Sequence, residues 1–494
     1  MSNINRRSFL KNSALAVGGA SVFAHPVISG GTSASGQILG ANDRVRIAIS
    51  GAGSRGGELI NFYKAISNTE IAYIVDPDKI RMNNRIDTIA TDTGKTPKGA
   101  QDYRVMLEDK DVDCVAISAP NHWHSLQAIW ACQAGKDVYL EKPCSQNIFE
   151  GRKVVEAAAK YNRLVQHGTQ RRSADDKGDV TWAKAVAAAK SGKYGKLIAA
   201  KASANRPRNS LGFKPIEAPP ENLDWNQWLG PVPMQPFHAN LVPYNWHWFW
   251  DTGNGEIGNN GPHYFDLCLW AIGERNPDSV ISFGCRFVRD AGNYYRDQAE
   301  TPTIQFALYD FGGIPVIYES CNIAGPRERW TPHERACLYT EQGIIRGNDF
   351  FPNGGGERQR IDVEFERPAS GNIFANFINA VRNRNSVPLN APIDKGVYAA
   401  ALCHWGNAAY RTGYRETLTA IREQMGNNQI LQDAIEKVVV NFKDVFGDAV
   451  SIDDIPFQVS EKLTIENEKF VNSPLGNSFL TRPPRPPFAV PEQV

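Results

Sequence analysis

The sequence predicts an α/β fold in two parts: an N-terminal parallel sheet covered by helices, then an α/β domain with a mostly antiparallel open sheet. Three observations predict it. Between Arg44 and Gln166, short continuous apolar runs alternate with helical patterns, which is how a parallel sheet buried on both faces reads. Beyond Gln166 the strand-like runs are joined by glycine-containing turns such as Phe311-Gly312-Gly313, which favours antiparallel neighbours. A glycine-rich turn, "ISGAGSRGGEL", stands at the first strand-to-helix junction.

The elements follow in order. "VRIAIS" (Val45–Ser50) is a buried strand, and 59–67 has a helical pattern. "IAYIVD" (71–76) and "DCVAIS" (113–118) are the next strands, the latter followed by a helix running to Gly135. "DVYLEKP" (137–143) is a fourth strand, followed by a helix near 149–161 and the short strand "LVQHG". In the second part "KLIAAKASA", "SVISFGCRFV", "TIQFALYD", "IPVIYES" and "ACLYTEQGIIRG" read as strands, and 180–190, 263–272, 373–382 and 397–412 as helices. The segment 215–250 is too irregular to assign. The tail "TRPPRPPFAVPEQV" reads as an extended arm suited to a neighbouring subunit. The expected organisation is 1–42 signal and linker, 43–166 nucleotide-binding domain, 167–450 substrate and oligomerisation domain, and 451–494 C-terminal extension.

Bulk properties exclude several classes. The chain has 494 residues, 42% hydrophobic and 22% charged, enough for two or three globular domains. A net charge of +1 provides no field for nucleic acid or an anionic membrane. The eight cysteines form no C-x-x-C pair; Cys114, Cys268, Cys285 and Cys321 sit in apolar runs and read as buried thiols. Once the N-terminus is set aside, no stretch is long and apolar enough to span a bilayer. That N-terminus carries Arg6 and Arg7, an apolar run over 14–24, and small residues suited to cleavage after Ala24. It resembles a twin-arginine (Tat) signal, which implies export to the periplasm. With no cysteine near the cut, no membrane anchor is expected.

The glycine turn carries the first chemistry. Gly51, Gly53 and Gly56 have G-x-G-x-x-G spacing, with Ser54 and Arg55 between them, directly after a strand and opening a helix. Such a turn lets backbone approach a diphosphate at a helix N-terminus. Asp76 ends the second strand, where a carboxylate accepts ribose hydroxyls and repels a 2′-phosphate. The reading is NAD, with NADP left open because Arg81 could swing in. Glu141, Lys142 and Pro143 stand at the C-terminal edge of the sheet, where ligands sit in open α/β folds. A lysine there can stabilise a developing alkoxide and move its proton.

With "GAGSRG" (51–56), "VDPD" (75–78), "APNHWH" (119–124), "EKP" (141–143), "GNNGPHYFDLCLW" (258–270) and "ALCHWGNAAYRTG" (401–413) in this order, the chain resembles the glucose–fructose oxidoreductase/inositol dehydrogenase (Gfo/Idh/MocA) family. The resemblance implies a Rossmann domain, and a second domain whose open sheet carries substrate residues and often oligomer contacts. It implies Lys142 as the active-site lysine, Asn121 beside the nicotinamide, His124 in the same motif, and His263 beside the substrate. Many family dehydrogenases carry Asp four residues before this histidine; here the residue is Asn259. An amide is no base, so His263 alone, or Lys142 with a lowered pKa, would take the proton. Asp266 reads as a buried partner inside the fold.

Aromatic residues concentrate just before His263, with Tyr244 and His247 the best candidates for walls of a carbohydrate pocket. "QHGTQRR" follows the last Rossmann strand, so His167, Gln170 and Arg171 are candidate substrate contacts, with Arg171 and Arg172 equally readable as surface charge. His122, His124, His167, His247 and His263 lack a metal-ligand spacing, so no metal is expected. The expected activity is hydride transfer between a carbohydrate carbon and tightly bound nicotinamide. The alternatives are an NAD-dependent glycosidase working by transient oxidation and elimination, and a non-catalytic sugar-binding protein. Partners are a small-molecule carbohydrate and further copies of the chain.

Overall fold

β1 (Val45–Ser50), β2 (Thr69–Val75), β3 (Lys98–Ala100), β4 (Cys114–Ile117), β5 (Asp137–Leu140) and β6 (Val165–His167) form a parallel sheet of six strands in the order β3-β2-β1-β4-β5-β6. The computed structural model describes residues 44–288, 297–323 and 335–494, apart from 370, 385 and 449. The twin-arginine segment lies outside the described residues.

Strand periodicity explains why both faces are apolar. Ile47 and Ile49 of β1 join one core cluster, while Ala48 between them joins the other. Five helices accompany these strands: α1 (Ser54–Lys64), α2 (Lys79–Thr93), α3 (Tyr103–Leu107), α4 (Asn121–Gln133) and α5 (Ile148–Lys160). The sequence reading lacks α2, α3 and β3. In α2 the buried residues are Met82 and Ile89, too few for an apolar stripe, and its ends are set locally. Asp78 caps it by accepting from the Arg81 N–H, and Gly94 ends it at φ 69°.

The second sheet is mostly antiparallel, as expected. It contains β7 (Leu197–Ser203), β8 (Ser279–Cys285), β9 (Ile304–Asp310), β10 (Pro315–Cys321), β11 (Ala336–Thr340), β12 (Gly343–Arg346), β13 (Asp349–Pro352) and β14 (Gln359–Arg360). β15 (Tyr414–Glu416), β16 (Phe457–Val459), β17 (Leu463–Glu466) and β18 (Lys469–Phe470) complete it. Within it β7 and β10 pair in parallel; β8, β9 and β10 form an antiparallel run. Before the return to the first sheet come α6 (Thr181–Lys190), α7 (Trp225–Leu229), α8 (Gly255–Asn259) and α9 (Gly261–Ile272). After it come α10 (Ile373–Arg382), α11 (Ile393–Arg411), α12 (Leu418–Gln424) and α13 (Gln429–Phe446). One sheet face packs on α9 and α11 through Tyr309, Tyr318, Phe265 and Trp405. On the other, Phe283, Phe306 and Ile317 meet Leu431, Ile435 and Val438 of α13, so part of the expected open face is covered by the chain itself.

Three expectations change. Helix α10 packs under the first sheet, with Phe374, Phe377 and Ile378 against Ile47 and Tyr139, so the two halves are not contiguous in sequence. β16 and β17 of the C-terminal extension pair with β8, so residues 451–494 do not stand apart. The proline-rich tail packs on its own Rossmann domain, with Phe488 buried beside Trp123. All eight cysteines are buried and in no disulfide. Among the described residues no helix is long and apolar enough to cross a membrane.

Asp266 is fully buried, and Arg172 is its partner rather than surface charge. Arg172 Nε donates to Asp266 Oδ1 and Oδ2 at 2.9 and 2.8 Å, and Nη1 to Glu274 at 3.1 Å. Arg172→Met strips a buried carboxylate of its counter-charge and is expected to cost about 3–5 kcal/mol, read as a lower urea midpoint. An unchanged midpoint would show that Asp266 is neutral or hydrated.

Candidate active site

A cavity of about 950 Å³ opens at the C-terminal edges of β1, β2, β4 and β5. Its walls come from both parts of the chain: the glycine turn, Asp76, Asn121 and Lys142 from the first, Tyr244, His247, Asn259 and His263 from the second.

The turn is shaped by two close approaches. A side chain on Gly51 (φ 88°) would strike the Ser118 carbonyl at 2.6 Å, and one on Gly56 would lie 1.9 Å from the Gly51 carbonyl. By contrast, the space above Gly53 is open, with only the Arg81 guanidinium within reach at 3.8 Å. No side chain caps α1 at Gly53, so its first N–H groups remain for a ligand. Asp76 is pinned by the N–H groups of Ala52 (2.7 Å) and Asp78 (2.8 Å), and each carboxylate oxygen keeps a lone pair for a ribose hydroxyl. Burial raises its pKa against the pull of those two bonds. These groups fit a dinucleotide: N–H donors for the diphosphate, a carboxylate for the ribose, and room for both.

Arg55 lines the cavity and pairs with two carboxylates. Its Nε donates to Glu141 Oε1 at 2.7 Å and its Nη1 to Glu58 at 2.6 Å. Glu141 is buried, also accepts from the Tyr139 hydroxyl at 3.2 Å, and anchors the turn to the end of β5. Burial would raise its pKa, but Arg55 and Lys142 outweigh that and hold it below the usual value.

Lys142 reaches across to the second domain. Its Nζ donates to the Asn259 carbonyl at 2.6 Å, with Asn259 Oδ1 at 3.5 Å. Both acceptors are neutral. Burial lowers its pKa, and Glu141 opposes this. His263 lines the same cavity, and its Nδ1 is buried without a partner. Burial and the nearby Lys142 and Arg171 charges push its pKa well below 6.5, so the imidazole is neutral. Asn121 donates to Asn254 Oδ1 at 3.0 Å. His124 is held by the carbonyls of Pro143 (2.6 Å) and Ala119 (2.7 Å); it ties α4 to the loop after Lys142.

Tyr244 and His247 line the cavity together, with ring centroids 4.4 Å apart. His247 Nδ1 donates to the Tyr244 carbonyl at 2.6 Å. Gln170 lines it too, donating to the Tyr139 hydroxyl at 3.1 Å. His167 and Arg171 are not on the wall. His167 is fully buried against α11, where a side chain on Gly396 would lie 2.5 Å from its ring. Neither ring nitrogen has a partner, and burial pushes its pKa to about 3. Arg171 lies over the rings of Trp182 and Tyr264.

Sequence reasoning misses Arg208 and Glu256. Arg208 lines the cavity, and its Nη2 and Nε meet Glu256 Oε2 at 2.9 and 3.1 Å. Glu256 is buried and also accepts from Asn260. The signal was available: Glu256 precedes Asn259 by three positions on α8, which puts both on one helix face. Among the described residues no group of three or more His, Cys, Asp or Glu could hold a metal.

Comparison with known proteins agrees with this geometry. Residues 45–169 match the model of the Gfo/Idh/MocA oxidoreductase family's NAD-binding Rossmann fold, and 209–292 match that family's C-terminal alpha/beta domain. A glycosyl hydrolase family 109 protein of Shewanella pealeana is 28% identical over 173 residues, 32% of this chain and 38% of that protein. An alpha-N-acetylgalactosaminidase of Shewanella oneidensis is 29% identical over 181 residues, 33% of this chain and 39% of that protein. The similarity thus spans less than two-fifths of these relatives. Among solved structures, the WlbA dehydrogenase of Chromobacterium violaceum, in complex with NADH and UDP-GlcNAcA, is 18% identical with a TM-score of 0.53, over 75% of this chain and 94% of that one. An oxidoreductase of Thermotoga maritima is 15% identical with a TM-score of 0.50, over 74% and 96% of the two chains; these likenesses are of fold. Residues 45–169 and 209–292 are thus similar to the NAD-binding Rossmann domain and the C-terminal alpha/beta domain of the Gfo/Idh/MocA oxidoreductase family.

Proposed function

We propose that the protein oxidises or reduces a carbohydrate at a carbon bearing a hydroxyl, with NAD in preference to NADP. The observation that carries this reading is one continuous cavity shared by the glycine turn, Lys142, Asn259 and His263. Bound NAD supplies the hydride acceptor. Lys142 and His263 supply the proton chemistry. Burial outweighs the nearby Glu141 carboxylate, so Lys142 loses its proton more easily than a free lysine, and its amine can take the hydroxyl proton. The neutral His263 accepts a hydrogen bond from the same or a neighbouring hydroxyl. Tyr244 and His247 offer ring faces to the sugar, and Asn259 an amide. The Asp76 carboxylate supports NAD, since it would face a 2′-phosphate with like charge.

A second reading is favoured by the relatives named for glycosyl hydrolase family 109 and alpha-N-acetylgalactosaminidase activity. On this reading oxidation is transient: it acidifies a neighbouring C–H, the aglycone leaves, water adds, and the sugar is reduced back. One experiment separates the two. Aryl glycosides and free sugars are incubated with the purified protein. Paired oxidised and reduced sugars support the oxidoreductase; aglycone release without net NADH supports the glycosidase. Sugar binding with no turnover of either kind would leave a binding protein.

We also infer export through the twin-arginine route with the cofactor already bound, supported by Arg6, Arg7 and the apolar run behind them, and assembly into homo-oligomers.

Lys142→Met is expected to lower turnover at least about 100-fold with NAD affinity retained; retained turnover would remove Lys142 from the chemistry. The pH profile of oxidation should rise through a pKa below 10.5, because only the deprotonated amine accepts the proton. Asn259→Asp places a carboxylate beside Lys142, stabilises the ammonium and should move that limb upward by about one pH unit. A profile that does not move assigns the limb to another group. Changing Arg6 and Arg7 to Lys should leave the protein in the cytoplasmic fraction; undiminished periplasmic protein would remove the export reading.

A further inference from the structure

We infer that the second domain provides a lid over the adenosine half of the cofactor, and that the proline-rich C-terminal tail latches it shut. The inference rests on NAD occupying the cavity above the glycine turn.

The lid is the segment 220–228. It docks on the loops that follow β2 and β3, two residues beyond the ribose-facing Asp76. Leu223 bridges to Asp78 in antiparallel fashion. The Lys79 N–H donates to the Asn222 carbonyl at 2.9 Å, and the Asp224 N–H to the Pro77 carbonyl at 3.0 Å. Asn222 Nδ2 donates to Asp78 Oδ1 at 2.7 Å, and Gln227 Nε2 to Asp102 Oδ2 at 3.1 Å. Asn222, Leu223, Gln227 and Trp228 all face the cavity at this end. An adenine ring lying beyond the Asp76 ribose would therefore meet Leu223 and Trp228 rather than solvent.

The latch acts from behind. Trp123 Nε1 lies 3.0 Å from the carbonyls of Gln227 and Trp228. Gly230 makes this fit possible: a side chain there would lie 2.2 Å from the Trp123 ring. The tail then closes over the junction. Phe488 is buried edge-on to Trp123 at 5.5 Å. Arg485 donates to the Gly230 carbonyl and to Asn226 Oδ1. Arg482 donates to the His122 carbonyl at 2.8 Å and pairs with the buried Glu150 at 2.5 Å. Two arginines and one ring thus join the helix that carries Asn121 to the segment that roofs the adenosine site. With these bonds made, opening the lid breaks contacts to the tail as well as to the cofactor, so release is slow.

The test measures NADH release from the full chain by chasing with excess NAD, together with equilibrium binding of NADH and ADP-ribose. Arg485→Ala with Phe488→Ala removes the latch; Leu223→Ala trims the lid without touching the tail. The double variant should release NADH at least tenfold faster, with the KM for sugar at saturating NAD unchanged. Leu223→Ala should weaken ADP-ribose as much as NADH, because the lost contact is with the shared adenosine half. Unchanged release in the double variant would overturn the latch. A Leu223→Ala loss confined to NADH would overturn the lid. An intact protein that binds neither NADH nor ADP-ribose would overturn the cofactor reading beneath both, a result distinct from either.

Discussion

One hydrogen bond at the cavity ties the two parts of the chain together. Lys142 lies just beyond β5, and the carbonyl it meets belongs to Asn259 at the end of α8. The two come from different domains, so this bond fixes the reacting group only when the domains are correctly seated. That seating is rigid for a physical reason. Helix α11 is buried along nearly its whole length, in contact with α9 on one side and the first sheet's helices on the other. The lysine is thus held by packing, with its direct hydrogen bonds going to neutral oxygens of Asn259 while Glu141 favours its charged form. Desolvation then dominates its acidity. A carboxylate at position 259 would reverse the balance by favouring the ammonium. On the proposed function, an amide at position 259 therefore leaves Lys142 as the candidate base.

The same reasoning separates Glu141 from Lys142, although they are adjacent. Glu141 is neutralised by Arg55 from the glycine turn, and the pair clamps that turn to the end of β5. The glycine turn and Lys142 are coupled through one backbone step. Arg55 serves here as a strut, while the backbone N–H groups at the α1 terminus remain uncapped by side chains. Recognition by backbone suits a nucleotide that must be held firmly yet oriented without competing cations.

Much of this is legible in the sequence, and the remainder is hidden for identifiable reasons. Strands β1, β4 and β5 are buried on both faces, which leaves unbroken apolar runs that mark themselves. The glycine spacing is legible because close backbone approach admits no other residue at Gly51 and Gly56. Helix α2 is not, because only Met82 and Ile89 need be apolar when the rest of it faces water. His167 shows the limit of edge reasoning. It does end a strand at the ligand edge, but the wall it meets is Gly396, supplied by a distant part of the chain. Proline-rich composition announces that the tail is extended and says nothing about its seat; Phe488 finds that seat against Trp123 of its own Rossmann domain.

Tight enclosure of the nucleotide has a chemical consequence. A dehydrogenase that exchanges its cofactor each turnover can run in one direction, using the pool of free NAD. If the proposed lid holds the nucleotide, a site roofed at the adenosine end and gripped at the diphosphate exchanges slowly, so each oxidation would be followed by a reduction in the same cavity. The substrate half then has to admit both the donor and the acceptor of hydride, or one molecule that is oxidised and reduced in turn. Broad aromatic faces at Tyr244 and His247 suit either, because ring stacking discriminates poorly between sugars that differ at one carbon. On the proposed function, discrimination falls instead to the polar groups Lys142, Asn259 and His263, which line the same cavity. Proton transfer at that hydroxyl must be reversible for the cycle to close. On the proposed function, Lys142, whose pKa burial lowers, carries that reversible transfer, and the neutral His263 imidazole offers a hydrogen-bond acceptor beside it.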